Sequence, residues 1–323
     1  MADLNIPDYF FSVPYNGAHY PGAMQVKGLE GGANCQQFAY ELLRYFGYFV
    51  PNLRSSDLWQ DTLYTNVVTD LQPLDLVLWN KTADAYGAHV GVYLGEGKVI
   101  HLSKEKGFAQ IENLSTLQAN PLYVVLIGAK RLKRTIAFLI RHAESTANAG
   151  QVSDSPATIP LTAQGQQQAD QLAEQFEYAP HLVISSPFIR TLQTAIPTLK
   201  RFPSVAYDIW AIQEFTYLSP VACEHTTAAQ RHPLVEAYWQ RNDPAYVDGA
   251  GAESFNELIQ RVKDFLQKLQ NQQGLLYVFT HGQFMRATQL VLNHPELSTT
   301  QLMSIFRQQP AYKNTEILPL SFT

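Results

Sequence analysis

The stretch that decides the fold is IAFLIRHAESTANAG, residues 136–150, in which an apolar run leads directly into polar and charged residues. A short continuous apolar run is typical of a strand covered on both faces, and open α/β sheets bind ligands beyond the carboxyl ends of such strands. Arg141 and His142 would then stand at a ligand-binding edge, where arginine offers a fork of donors to phosphate and imidazole acts as nucleophile, acid or base. The alternative interpretation is a surface loop with a solvated Arg-His pair.

Two later apolar runs end in the same way. Residues 181–186 predict a strand, after which Pro187 starts a helix with Arg190 in its first turns. Residues 275–280 predict another strand, which ends in His281. The alternation of strands and helices predicts an α/β, doubly wound and mostly parallel sheet. Because the strands of such a sheet end at one edge, the sequence gathers there four residues: Arg141, His142, Arg190 and His281.

Composition limits the domain count and excludes several classes of protein. A chain of 323 residues exceeds one typical domain, so we expect domains at 1–130 and 135–323, with the basic segment 131–134 as a solvated strand end and linker. The chain is 46% hydrophobic and 16% charged, with a net charge of −5 and no basic stripe, so nucleic acid is not an expected partner. No apolar run reaches the roughly 20 residues that span a bilayer, so no membrane segment is expected. Residues 1–5 lack the features of a secretory signal, which predicts a cytoplasmic location.

A cysteine marks the first firm element of the chain. Apolar residues recur at helical spacing from Gln36 to Phe46, with Asn34 as a candidate cap, so Cys35 is expected in the first turn of a helix. The partial positive charge of a helix amino terminus lowers a thiol pKa, which makes this a suitable place for a reactive cysteine. The alternative is a small buried apolar side chain, which unpartnered cysteines commonly are. The second cysteine, Cys223, is expected to be inert, and two cysteines are too few for a disulfide framework.

Two histidines are placed opposite each other by a predicted hairpin. Residues 88–94 and 98–102 are β-rich runs around a short turn that contains glycine, so they should pair antiparallel. His89 and His101 then come within a residue or two of facing each other. A thiol, a histidine base and a third polar residue that orients the base make up a cysteine-protease arrangement.

These motifs resemble the NlpC/P60 family of papain-like cysteine peptidases, many of which cleave amide bonds in bacterial cell-wall peptides. The resemblance rests on Cys35 at a helix start, Asp75-Leu76-Val77, the strand from His89 to Tyr93, and the return from Gly95 to His101. It implies an α+β papain-like domain with Cys35 as nucleophile, His89 as base and His101 as the orienting residue. It also implies that Tyr20 lies near the thiol. The sequence departs from the family at Asn34-Cys35-Gln36-Gln37 and at Leu74, which leaves the shape of the substrate open.

The second half resembles the histidine phosphatase superfamily, which includes the phosphoglycerate mutases. The resemblance rests on five motifs: Leu139 to Ser145, Leu161-Thr162-x-x-Gly165, Ser185-Ser186-Pro187-x-x-Arg190-x-x-Gln193-Thr194-Ala195, Gly251 to Ser254, and Thr280-His281-Gly282. It implies a metal-independent phosphomonoesterase that needs no cofactor, with His142 attacking phosphorus to give a phosphohistidine. Arg141, Arg190 and a protonated His281 would stabilise the transferring group.

The resemblance also implies roles around that core. Glu214 is expected to act as acid and then as base, with a structural carboxylate as the alternative. Ser145 and Asn148, on the loop after the nucleophile, are expected to contact phosphate or substrate. The segment 217–251 is the expected substrate cap.

The sequence therefore predicts a bifunctional hydrolase that takes a small phosphorylated substrate and a peptide or amide. One alternative keeps only the phosphatase and makes the first domain a module that binds or transfers acyl groups. Another makes the second domain a phosphomutase or a phosphoprotein phosphatase.

Overall fold

The computed structural model describes residues 4–153 and 155–323, and the chain divides into two compact units. The first unit comprises residues 1–136 with 321–323, and the second comprises residues 137–320. The expectation about residues 1–5 rests in part on residues 1–3, which lie outside the described residues. Among the described residues, no helix is long and apolar enough to cross a membrane.

The first unit is built on one sheet of antiparallel pairs. Its strands are β1 (Thr65–Val68), β2 (Leu76–Asn80), β3 (His89–Gly95), β4 (Lys98–Leu102), β5 (Ala109–Asn113) and β6 (Val125–Leu132). Its helices are α1 (Cys35–Tyr45), α2 (Ser55–Gln60) and α3 (Leu114–Gln118), and a short 3-10 helix covers Asp8–Ser12. The strand order is β1-β6-β2-β3-β4-β5, and every neighbouring pair runs antiparallel.

Helix α1 forms where the sequence predicts it, and it packs on β3 and β4. Its start is fixed by Asn34, whose side chain accepts a hydrogen bond from the backbone N–H of Gln37. Phe38, Ala39, Leu42 and Leu43 lie on one side of the helix and are buried in the core of this unit. The predicted hairpin is confirmed, since β3 and β4 pair with Val92 opposite Ile100.

The basic segment 131–134, expected to be a solvated strand end and linker, begins as part of a strand, and its first residues have partners within the first unit. Arg131 and Leu132 belong to β6 and pair with β1. Lys130 is buried, and its Nζ donates to the carbonyl of Asp61 at 2.6 Å. Arg131 forms an ion pair with the buried carboxylate of Asp75 at 2.8 Å. These partners come from distant parts of the chain, so a short charge run could not reveal them.

The second unit is an α/β fold, which confirms the predicted class, and its sheet is mixed. Its strands are β7 (Thr135–Arg141), β8 (Leu182–Ser185), β9 (Ala206–Ile209), β10 (Gly274–Thr280) and β11 (Ile317–Phe322), in the order β11-β7-β10-β8-β9. Its helices are α4 (Ala163–Gln175), α5 (Ile189–Arg201), α6 (Ala228–Arg241), α7 (Phe255–Gln270), α8 (Gly282–Asn293) and α9 (Thr299–Phe306). Strand β8 runs parallel to both β10 and β9. Arg141, at the end of β7, exchanges backbone hydrogen bonds with residues 315 and 316 just before β11, so β11 runs antiparallel at the edge.

Local chemistry explains why these elements start where they do. The side chain of Thr162 accepts from the N–H of Gly165 and begins α4, and Ser254 closes a capping box with Glu257 at the start of α7. Gly165 is required for a second reason, because a Cβ there would lie 2.0 Å from the carbonyl oxygen of Glu144. Helix α4 therefore packs directly on the backbone that follows β7, and it fixes the loop that carries the predicted site.

Candidate active site

The His142 imidazole is held by its own backbone at the end of β7. Its Nδ1 lies 2.7 Å from the carbonyl oxygen of Ala143. A carbonyl only accepts, so Nδ1 must carry the proton and Nε2 must carry the lone pair. That Nε2 accepts from Nε of Arg190 at 3.2 Å, and His142 is only 3% exposed. The lone pair of the His142 ring therefore lies on Nε2 and faces the guanidinium of Arg190.

The backbone around His142 is fixed by residues from two other parts of the unit. Thr194 on α5 accepts from the N–H of Ala143 at 3.1 Å. Asn314 donates to the carbonyl of His142 at 2.8 Å and to Oδ1 of Asn148 at 3.2 Å. Ser145 also donates to that Oδ1, at 3.0 Å. Ser145 and Asn148 therefore hold the loop together, and their predicted contact with phosphate stays a prediction.

Two arginines that the sequence predicted for one edge lie at this site. Arg190 is buried, and its Nη1 donates to the carbonyl of Pro156 at 2.6 Å. Burial lowers the pKa of Arg190 to about 10, so the guanidinium stays charged at neutral pH. Arg141 is anchored through Nη1 to the carbonyl of Tyr312 at 2.5 Å, while its buried Nε has no hydrogen-bond partner among the described residues. Both side chains keep donors for an anion.

His281 completes the group of cations and imidazoles that the sequence predicted. Its ring centroid lies 5.1 Å from that of His142, and its Nε2 lies 2.7 Å from Oγ of Ser186. Its buried Nδ1 has no hydrogen-bond partner in the described part of the chain. Oγ of Ser186 in turn lies 2.7 Å from Oγ1 of Thr191, so a pair of buried hydroxyl groups fixes the ring of His281.

The proton expected on His281 during phosphoryl transfer stays a prediction, because the groups around the ring favour its neutral form. Burial, followed by the positive charge of Arg190, holds the pKa of His281 well below its ordinary value. The same two causes, in the same order, lower the pKa of His142. Both rings are therefore neutral at neutral pH. Only a bound anion would supply the negative charge that favours a proton on His281.

Glu214 lies at the mouth of this group. Its Oε1 accepts from the N–H of Gln283 at 3.1 Å, and its charge raises the pKa of Arg141 and of Arg190 against the effect of burial. Glu214 and Arg190 both line a cavity of about 280 Å³. A carboxylate thus stands beside the guanidinium pair, with open space next to it for a leaving group.

The predicted cap, residues 217–251, contributes half of the residues that line that cavity. Its lining includes Tyr217, Leu218, Cys223, Arg231 and Val235. Arg231 donates to the carbonyl of Thr226 at 3.0 Å, and burial raises the pKa of the Cys223 thiol. The cap therefore offers apolar surface and one cation, and Cys223 carries no sign of activation.

In the first unit, helix α1, which begins at Cys35, packs on the two strands that carry the predicted histidines. The backbone N–H of Val90, the residue after His89, favours the thiolate form of Cys35 and so lowers its pKa. Nε2 of His89 lies 2.8 Å from Nδ1 of His101, and both rings are buried. The ring of Tyr123 stacks on that of His89 at 4.3 Å.

The expectation of a lowered pKa for the Cys35 thiol is wrong. Burial raises the pKa of Cys35, and the backbone hydrogen bonds from Val90, Gln36 and Cys35 itself only partly offset it. Helix position alone could not predict this, because the desolvation comes from elements packed over the first turn. The resting thiol is therefore protonated at neutral pH.

The tyrosines near the thiol differ from the one that the sequence singled out. The guanidinium of Arg54 lies over the ring of Tyr20, with its Cζ 4.1 Å from the ring centroid. Burial raises the pKa of Tyr15, and it raises that of Tyr123 to about 12; in both cases the Cys35 thiolate adds to the effect. Tyr15 and Tyr123 thus share the electrostatic surroundings of Cys35, and a role for Tyr20 stays a prediction.

Two residues of these sites were missed by sequence reasoning. Asn314 lies in a polar loop before β11, where no periodicity or motif distinguishes it. Glu112 lies on β5, and its Oε2 is 3.5 Å from Nε2 of His101. The alternation of burial along residues 109–113 could have predicted that strand, although not the contact. Among the described residues, no group of three or more His, Cys, Asp or Glu is arranged to hold a metal ion.

Two arginines and two buried imidazoles at the ends of α/β strands define a site suited to a phosphoryl group. A model of the histidine phosphatase superfamily (branch 1) matches residues 137–311, which is more than half of the chain. The chain belongs to this superfamily. Membership supports phosphatase activity of the histidine phosphatase type. No curated protein matches the chain.

Several solved structures are similar to the chain. Mycobacterial hydrolase 1 is 20% identical, with a TM-score of 0.46, over 58% of this chain and 89% of its own. The alpha-ribazole phosphatase from Shigella flexneri is 22% identical, with a TM-score of 0.44, over 57% of this chain and 89% of its own. A mycobacterial glucosyl-3-phosphoglycerate phosphatase is 19% identical, with a TM-score of 0.46, over 58% of this chain and 91% of its own.

The lowered pKa values predict how stability depends on pH. An unfolded histidine binds a proton near pH 6.5, whereas folded His142 and His281 bind one only at lower pH. The unfolded chain therefore takes up protons first as the pH falls, and the second unit loses stability below about pH 6.5. Each such ring contributes at most about 1.4 kcal/mol per pH unit.

Urea unfolding at pH 7 and pH 5 measures this effect. We expect a smaller loss of stability in His281→Asn than in the wild type. The control His232→Asn changes an exposed residue on α6 and should behave like the wild type. Equal losses in wild type and His281→Asn would contradict the assignment of a neutral buried ring.

Proposed function

We propose that residues 137–320 hydrolyse phosphate monoesters through a phosphohistidine on His142. The observation that carries the proposal is the hydrogen bond from Nδ1 to the carbonyl of Ala143 at 2.7 Å. It leaves the lone pair on Nε2, which is the atom that must attack phosphorus. Membership of the histidine phosphatase superfamily supports the same interpretation.

Binding is the first step of the proposed reaction. The phosphoryl oxygens take the donors of Arg141 and Arg190, and Arg190 Nε turns from Nε2 of His142 to the substrate. Nδ1 of His281, which has no partner among the described residues, faces the same anion. Preorganised donors in a site from which water is largely excluded stabilise the charge that spreads over the equatorial oxygens.

Transfer and hydrolysis follow from the positions of the remaining groups. Nε2 of His142 forms a bond to phosphorus while the bond from phosphorus to the ester oxygen breaks. The Glu214 carboxylate takes the proton that a bound phosphate monoanion carries and passes it to that oxygen. The resulting carboxylate then takes a proton from water as the water attacks phosphorus, and inorganic phosphate leaves from a restored imidazole. Proton and charge are balanced over the cycle.

The cavity supports a small phosphorylated substrate. It measures about 280 Å³ and joins Arg190 and Glu214 to the apolar cap residues Tyr217, Leu218 and Val235. That volume lies at the lower end of small-molecule sites. Release of inorganic phosphate separates this reading from a mutase, which returns the phosphate to its substrate, and a dephosphorylated protein product would indicate a phosphoprotein phosphatase.

Leaving-group kinetics test the role of Glu214. General acid catalysis is typically worth about 10²–10⁴-fold, so Glu214→Gln should lower kcat by that order on an alkyl phosphate. The loss on p-nitrophenyl phosphate should be much smaller, because nitrophenolate leaves without a proton. His142→Ala should abolish turnover of both, by on the order of 10⁴-fold or more.

The matched control is Glu224→Gln, which changes an exposed carboxylate of the cap. It should leave both rates unchanged. Equal losses on the two substrates in Glu214→Gln would contradict the acid role and assign Glu214 a structural one.

We further propose that residues 1–136 carry a cysteine-dependent amide hydrolase of the NlpC/P60 type. The specific observation in its favour is that α1, which begins at Cys35, packs on β3 and β4, where Nε2 of His89 lies 2.8 Å from Nδ1 of His101. Because burial raises the pKa of the Cys35 thiol and lowers that of His89, the resting pair is a neutral thiol and a neutral imidazole. His89 then takes the thiol proton as the sulfur attacks the amide carbon, and it returns that proton to the amine as the carbon–nitrogen bond breaks. Water, deprotonated by His89, then attacks the thioester, which releases the carboxylic acid, and the proton returns to the Cys35 sulfur.

Turnover of a library of peptides and acyl amides, followed by mass spectrometry, tests this second activity. We expect Cys35→Ala to lose all amide hydrolysis and to retain phosphate release, whereas His142→Ala should do the reverse. Cys223→Ala controls for the other cysteine and should retain amide hydrolysis. Amide hydrolysis that survives in Cys35→Ala would contradict the proposal, and so would wild-type binding or acyl transfer without hydrolysis.

A further inference from the structure

Behind the proposed cysteine site, the hydrogen-bonded pair of histidines ends at a carboxylate. Nε2 of His101 lies 3.5 Å from Oε2 of Glu112. This ring nitrogen is buried and has no hydrogen-bond partner among the described residues. The Glu112 carboxylate lies where it can interact with an N–H at this position. The three side chains come from three neighbouring strands, His89 from β3, His101 from β4 and Glu112 from β5.

The register of the sheet puts Glu112 there. On the antiparallel pair of β4 and β5, His101 faces Gln110 and Val99 faces Glu112. Side chains two positions apart on a strand share a face, so Glu112 is the diagonal neighbour of His101. Diagonal neighbours lie within reach of long side chains. Glu112 is 29% exposed and His101 is 2% exposed, so the carboxylate keeps some water while the ring does not.

We propose that Glu112 is a positioning residue that holds the proton of His101 on Nε2 and thereby makes His89 the base for Cys35. The inference rests on the proposed cysteine hydrolase for its function, although the proton positions can be measured without it. No motif of the sequence analysis included Glu112.

The tautomers of His89 and His101 are linked, because each neutral ring has a single N–H to donate. A neutral imidazole has one N–H and one lone pair. With the proton of His101 on Nε2, its Nδ1 must accept, and the 2.8 Å contact then requires the proton of His89 on Nε2. The lone pair of His89 is left on Nδ1, free to take the thiol proton. With the opposite arrangement, His89 would accept through Nε2 and carry its own proton on Nδ1, where it could not act as a base.

Charge favours the same arrangement. Burial lowers the pKa of both histidines, and Glu112 is the group that raises the pKa of His101 against it. When the thiol proton passes to His89, the positive charge is shared with His101 and faces the carboxylate. The phenol of Tyr123, whose ring stacks on that of His89, is uncharged at neutral pH because burial raises its pKa to about 12. Lys98, which lines a surface cavity with Glu112, is exposed to solvent.

Nitrogen-15 NMR of the imidazole rings in the full chain reads the proton positions directly. In the wild type at pH 7 we expect protonated Nε2 and unprotonated Nδ1 on both His89 and His101. Glu112→Leu removes the acceptor, so the protons should redistribute toward Nδ1. The control Glu96→Leu removes an exposed carboxylate from the turn between β3 and β4 and should leave the spectrum unchanged. A wild type with Nδ1 protonated on His89, or a spectrum that Glu112→Leu does not alter, would overturn the proposal.

Alkylation of Cys35 by iodoacetamide at pH 7, in a Cys223→Ala background, gives the second readout. We expect the rate to fall about tenfold in Glu112→Leu and to be unchanged in Glu96→Leu. If Glu112→Leu does not fold, Glu112→Gln removes the charge at the same size, and the same fall is expected. Suppose that the wild type is alkylated faster than His89→Ala. An unchanged alkylation rate in a folded Glu112→Leu or Glu112→Gln variant would then count against a role for Glu112. A wild type that reacts no faster than His89→Ala would instead refute the nucleophile, while the NMR result would still decide the tautomer.

Discussion

The second unit depends on one hydrogen bond, from Nδ1 of His142 to the carbonyl of Ala143. The bond fixes the tautomer, and the tautomer decides which ring atom can attack. It holds only because the backbone around it is held: Thr194 takes the N–H of Ala143, and Asn314 donates to the carbonyl of His142. At Gly165, helix α4 approaches the carbonyl of Glu144 so closely that no larger residue fits. The packing of the fold thus determines the chemistry of a single nitrogen.

Burial sets the electrostatics of both sites, because it favours the neutral form of each buried histidine and of the cysteine. It lowers the pKa of His142, of His281 and of His89, and it raises that of Cys35. Each centre is therefore neutral at rest apart from its guanidinium groups or its distant carboxylate. A phosphoryl group brings its own charge to the arginines, whereas a neutral amide brings none. The cysteine centre must create its charges during attack, which is why a carboxylate behind its histidines matters more there.

Features written in local patterns could be predicted from the sequence, and those that depend on distant partners could not. The apolar run before Arg141 predicted a strand, and the cap Asn34 predicted a helix start, because periodicity and capping act within a few residues. The coarse α/β class followed from the alternation of such elements. Asn314 and Glu112, by contrast, meet their partners only through sheet register and loop packing. The buried ion pair of Arg131 with Asp75 and the direction of the Cys35 pKa have the same origin.

The central claim is that Nε2 of His142 becomes phosphorylated during turnover. Acid-labile phosphate on protein is trapped by rapid quenching into base after mixing with a phosphorus-32-labelled monoester, and the labelled peptide is located by mass spectrometry. The account predicts one label per active chain, on His142 alone, that forms before phosphate is released and is absent from His142→Ala. Label on another residue would contradict it. Full-rate hydrolysis by His142→Ala would also contradict it.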